Sequence, residues 1–267
     1  MKKINWIIFV LFLSWHSFNY ASDLAQPFYI DQKDQRFYQR GLIPKDNTSS
    51  LCGPVSLVNI IISDLNTKEL TENTSEELLN EIITISNELK VKENIDVNNG
   101  LVEYELIKYI ELFKNEHQLN ITSSFLKKKH HIYGQTFYGK ELNQHIIQSK
   151  FKQIWQIKIE EKKTPSYGGP KPRYPRDPFE DYQPEMPGLE NPVRIFHYIS
   201  KIKNLNENEF SLIDPENPKE ELILKLETIN DPQTKKVIFR LIPKSPGAFK
   251  NFSIRPPYTI ELKSIIE

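Results

Sequence analysis

Apolar residues recur along this chain with two different periods, and the change falls near residue 150. Before it, they return every three or four positions, as on one face of a helix. The run from Val55 to Ile62 predicts a buried helix from Cys52 to about Ser63. Thr74 and Glu77 stand at capping-box spacing, and Leu78, Leu79, Ile82, Ile83, Ile85 and Leu89 then share one broad face. After the Asn98-Asn99-Gly100 turn, Leu101, Tyr104, Leu106, Ile107, Ile110, Leu112 and Phe113 predict a third helix, to about Glu116. A short strand is expected over Ile121 to Leu126 and a short helix over Gly139 to Ser149.

Beyond that point the pattern alternates. Strands are predicted for Phe151 to Ile159, Arg194 to Ile202, Glu209 to Ile213, Leu222 to Leu226, Lys236 to Ile242 and Tyr258 to Ile265. Helices first and strands later argue for an α+β fold, N-terminal helices on a largely antiparallel sheet. Two stretches fit neither period. Residues 22 to 51 read as extended and loop-like, anchored by Phe28-Tyr29-Ile30 and Arg36-Phe37-Tyr38. Residues 160–192 hold eight prolines, too many for a helix or a central strand.

The first residues form a separate unit. Lys2 and Lys3 precede the apolar run Trp6 to Leu13, and Ala21-Ser22 offers a small-residue exit, so 1–21 reads as a signal peptide. The run falls short of the about 20 residues of a membrane span, and no later segment supplies one. The expectation is a secreted or periplasmic protein with no stable membrane insertion once the signal is cleaved. A main domain would cover 22–219, and 220–267 would add strands to it or form a small extension.

Formal charge balances at zero, which argues against nucleic acid as a partner. The densest basic run, Lys127 to His131, reads as a solvated turn. Its two histidines lack the neighbouring cysteine or acidic spacing of a metal site.

The cysteine count changes the picture. Cys52 is the only cysteine, so the mature chain can form no internal disulfide. An unpaired thiol in an oxidising compartment is buried, paired between chains, or used. Cys52 sits at the predicted start of a helix with Pro54 in its first turn, where the missing N–H costs nothing. Free N–H groups and the positive helix end at such a place lower a thiol's pKa and offer donors to an anion. The same residue also reads as a small buried hydrophobe without chemistry.

A cysteine nucleophile needs a base, and the base needs an orienting group. His117 reads as a dipole partner at a helix end, His130 and His131 lie in the basic turn, and His145 is on a polar face. His197 alone lies inside an apolar strand, and Asp214 ends the strand that returns from it.

Cys52-Gly53-Pro54-x-Ser56-Leu57, then His197-Tyr198, then Asp214-Pro215, in that order, resemble the papain-like cysteine peptidases. The likeness is to the free-standing relatives of the bacteriocin-processing, double-glycine-leader peptidases and covers about residues 28 to 216. It implies a papain-like fold, a peptide or protein substrate and no cofactor or metal. It also implies Cys52 as nucleophile, His197 as general base and acid, and Asp214 as its orienter. For the oxyanion hole it points to Gln39, with Asn47 as fallback. Gln39 lies farther upstream than the family's glutamine, whose place Asp46 takes here. No membrane or ATPase segment is attached, unlike the transporter-coupled members. Two further readings stay open: transglutaminase-like acyl transfer, and a catalytically inactive domain that binds proteins through its proline-rich loop.

Overall fold

The structure is a computed structural model that describes residues 28–44, 50–65, 72–116, 136–138, 141–161, 194–232, 235–244, 248–249, 252 and 257–267. The alternating segments form β2 (Gln153–Glu161), β3 (Arg194–Asn204), β4 (Glu209–Ile213), β5 (Glu221–Asn230), β6 (Val237–Pro243) and β7 (Tyr258–Ile266), with β1 (Thr136–Tyr138) alongside β7. All are antiparallel. Each strand sends every second side chain inward, so Trp155, Ile157 and Ile159 meet Phe210, Leu212, Leu222, Leu224, Leu226, Phe239, Leu241, Ile260 and Leu262 in one core.

The sheet does not stay open. β7 pairs with β2 from Ile154↔Ile266 to Glu161↔Tyr258, and with β6 through Arg240↔Glu261 and Leu241↔Ile260. Six strands, β7-β2-β3-β4-β5-β6, thereby close into a barrel whose interior is packed with side chains. The expected papain-like α+β fold is overturned: this is a barrel-type fold with a few helices. The cause lies in the pairing partners. Alternation marks strands on an open sheet and on a closed one alike, and only the β6–β7 pairs tell them apart. β5, β6 and β7, from the stretch 220–267, are three of the six staves.

A second core lies outside the barrel. It is built on α2 (Cys52–Asp64), α3 (Glu72–Glu93) and α4 (Glu103–Glu116), packed with Ile154, Tyr198 and Ile266. α2 is buried from Cys52 to Ile62. The Thr74–Glu77 signal lies inside the first turns of α3, which begins at Glu72. Upstream, α1 (Gln35–Gln39) occupies a stretch expected to be extended; Asp34 caps it by accepting from the Arg36 N–H (2.9 Å). The expected helix over 139–149 shrinks to α5 (Gln144–Ile147).

Polar ties set α2 against its neighbours. Ser200 Oγ of β3 donates to the Ser56 carbonyl (2.8 Å). Buried Asn59 accepts from the Ile30 N–H (2.8 Å) and donates to the Ile30 carbonyl (3.1 Å). At the other end of the helix, Lys152 Nζ donates to Ser63 Oγ (2.7 Å) and pairs with Asp64, a cation placed where the helix dipole favours one.

The expected signal peptide (1–21), the strand at 121–126 and His117, His130 and His131 lie outside the described residues, as does the proline-rich stretch from 162 to 192. Glu160 and Glu161 belong to β2. Among the described residues, no helix is long and apolar enough to cross a membrane.

Candidate active site

α2 begins at Cys52, with Leu51 at the N-cap offering no polar side chain. The first bond of the helical ladder runs from the Val55 N–H to the Leu51 carbonyl (3.0 Å). Pro54 has no N–H to place, so the Cys52 and Gly53 N–H groups are the donors that the helix's own ladder does not claim. Gly53 suits a tight approach: a Cβ there would lie 3.1 Å from Leu106 Cδ1 and 3.5 Å from Tyr198 Cδ2. The small residue lets α4 and β3 close on the start of α2.

β3 runs six residues beyond its pairing with β4, which ends at Ser200↔Ile213, and brings His197 beside the end of β4. There Asp214 Oδ1 lies 2.8 Å from His197 Nε2 and also accepts from the Glu216 N–H (2.9 Å). Two donors on one oxygen hold the carboxylate in place. The turn is clasped from outside by the segment ahead of α1. The Gln32 N–H donates to the Pro215 carbonyl (3.0 Å), Gln32 Nε2 donates to Glu216 Oε1 (2.6 Å), and Lys33 pairs with Glu216.

With Nε2 on Asp214, the imidazole keeps Nδ1 for a second partner. Cys52 is close enough for its side chain to act on the imidazole. Cys52, His197 and Asp214 are only 7%, 2% and 5% exposed, and the edge of Phe252 covers the imidazole at 4.8 Å between ring centres. Burial by itself would push the imidazole's pKa down. The Asp214 carboxylate, and then the Cys52 sulfur, outweigh it and raise the pKa from 6.5 to about 10. The arrangement can therefore hold a proton on His197 at neutral pH beside a sulfur nucleophile.

A cleft of ≈ 560 Å³ opens at the sulfur. One wall is the 3₁₀ turn Val97–Asn99 and the start of α4, from Asn98 to Glu103; the other is Gln156, Phe196 and Tyr198 of β2 and β3. Gln156 and Tyr198 face each other across the two strands, and Gln156 Nε2 donates to the Tyr198 hydroxyl (3.0 Å). Burial first, and the charge of Cys52 next, hold the Tyr198 pKa above its ordinary value, so this hydroxyl stays protonated. Its acceptor capacity is engaged by Gln156, which leaves its proton to give.

Gln39, expected in the oxyanion hole, is not in this cleft. It is the last residue of α1, exposed, while Phe37 supplies that helix's buried contact. Asp46 and Asn47 lie outside the described residues. Gln156 carried no signal, because a polar residue in an alternating strand reads as solvent-facing. Tyr198 was visible only as His197's neighbour. His145 is exposed on α5, away from this cleft. Among the described residues, no cluster of three or more His, Cys, Asp or Glu side chains stands where a metal ion could be held.

No protein-family model matches this chain, and no curated protein or solved structure matches it.

Proposed function

We propose that this protein is an exported thiol hydrolase that cleaves peptide or amide bonds with Cys52, His197 and Asp214. The observation that carries the proposal is the position of His197, bonded to Asp214 through one ring nitrogen and close enough to interact with Cys52, which lines an open cleft. The Cys-His-Asp order along the chain is that of the papain-like peptidases. The barrel is not their fold, so the reading rests on the geometry of the site.

In the first half-reaction the Cys52 sulfur, its proton held by His197, attacks the carbonyl carbon. The carbonyl π electrons move to oxygen. The Cys52 N–H and the Tyr198 hydroxyl, from two residues that line the cleft, are the donors to the oxyanion. Collapse breaks the C–N bond, and the imidazolium gives its proton to the leaving amine. The acyl group then sits on sulfur as a thioester. His197 next takes a proton from water, hydroxide adds to the thioester, and the sulfur leaves with the acid as product. Asp214 holds the ring in one orientation throughout and stabilises its charged form.

The test is the pH profile of Cys52 alkylation by iodoacetamide in the wild type and in His197→Ala, with p-nitrophenyl acetate hydrolysis followed alongside. Fast labelling at pH 6 that collapses in the variant is expected. Labelling that ignores His197 would remove the catalytic reading. Trapping the acyl group with an added amine separates hydrolysis from acyl transfer.

A further inference from the structure

Among the described residues that line the cleft, the ionisable side chains besides Cys52 and Tyr198 come down to Glu103, with no lysine or arginine. Glu103 is half-buried in the first turn of α4, at the positive end of the helix dipole. Its nearest acidic neighbour is already engaged: Glu105 Oε2 accepts from the Val102 N–H (2.9 Å) and closes the helix start. Glu103 takes part in no ion pair among the described residues. Its charge acts on Tyr198, and both residues line the cleft.

The rim has a second character. Phe196 is 57% exposed and Val102 52%; both line the cleft, on opposite walls. Phe196 stays exposed although the five residues after it in the strand are all buried. A large aromatic ring left in water beside a nucleophile is a surface for a substrate side chain, and a lone carboxylate on the facing wall is a partner for a cation.

We infer that the cleft selects peptide segments carrying a basic side chain next to an apolar one, with Glu103 pairing the cation and Phe196 and Val102 covering the apolar group. The inference rests on the hydrolase reading and adds the substrate class to it. Electrostatic pairing of this kind acts mainly by discrimination: the favoured charge is drawn in and the like charge is repelled.

Three peptidyl chloromethyl ketones test it. They share a phenylalanine and differ in carrying lysine, norleucine or glutamate beside it, and each is made with the pair in both orders. Labelling is the displacement of chloride by the Cys52 sulfur, read by intact mass. Each rate is divided by the iodoacetamide rate of the same sample, so changes in the thiol itself cancel. In the better order at low salt, the lysine probe is expected to react at least about tenfold faster than the norleucine probe, which corresponds to about 1.4 kcal/mol. The glutamate probe should be slowest. Glu103→Gln should level the three rates, and Glu103→Arg should reverse their ranking. Equal rates in the wild type, a lysine preference that survives Glu103→Arg, or no labelling by any probe would overturn the assignment. Failure of the hydrolase reading shows separately, as iodoacetamide labelling independent of His197.

Discussion

His197 Nε2 lies 2.8 Å from Asp214 Oδ1, and the same oxygen accepts from the Glu216 N–H at 2.9 Å. The ring's orientation is thus set by a carboxylate that is itself held by the backbone of its own turn. Asp214→Asn keeps the shape and removes the charge, and it permits the wrong tautomer. Turnover of p-nitrophenyl acetate is expected to fall by about two to four orders of magnitude, and the unfolding midpoint near neutral pH should fall as well, because the charge that raises the imidazole's pKa is gone. Turnover within twofold of wild type would remove Asp214 from the mechanism.

His197→Ala should act on the thiol directly. Without His197 the thiol has no base beside it, and of a free cysteine only about one in three hundred is ionised at pH 6. Iodoacetamide labelling at that pH should drop by up to about a hundredfold, and the two proteins should converge above pH 9.

Tyr198→Phe separates the two phases of the chemistry. Alkylation forms no oxyanion, so labelling by iodoacetamide should hold. Acyl transfer should lose about a hundredfold or more, the usual cost of removing one oxyanion donor. Loss of both together would mean that the hydroxyl positions the thiol rather than the oxyanion.

Stability should carry the signature of the raised imidazole. A group whose folded pKa lies above its unfolded value contributes stability fully below the unfolded value and loses it as pH rises through the folded one. For His197 that window runs from 6.5 to about 10. Urea midpoints of the wild type and His197→Gln should differ most near pH 6.5 and approach each other towards pH 10.

Lys201 should behave in the opposite sense. It is buried against the barrel, donating to the Ser149 and Phe151 carbonyls, and burial lowers its pKa from 10.5 to about 8 despite Glu267. Between those values the unfolded chain binds more protons, so stability rises with pH. The wild type should therefore gain on Lys201→Met between pH 8 and 10.5 in urea titrations. A flat difference would mean that the ammonium is better solvated than its position implies.

How much of this was legible in the residues follows physical lines. Local periodicity located the three long helices and six barrel strands, and it placed His197 and Asp214 at facing ends of one hairpin, since β3 and β4 are joined by a short turn. What failed was long-range. Arg240↔Glu261 and Leu241↔Ile260 convert an open sheet into a barrel, and nothing in either strand announces its partner. Gln39 failed because an upstream glutamine was matched by chain order, while α1 turns it to solvent. Gln156 and Glu103 were missed because a polar side chain facing a cleft has the same local pattern as one facing water.

The pairing of β2 with β7 has a kinetic consequence. Ile159 pairs with Ile260 on the adjacent strand, so one edge of the apolar β2 strand waits for a segment about a hundred residues later in the chain. At about 5–20 residues per second of synthesis, that edge stays open for roughly five to twenty seconds. During that interval Trp155, Ile157 and Ile159 have no sealed interior to enter, and the nascent chain is most open to chaperones and to self-association.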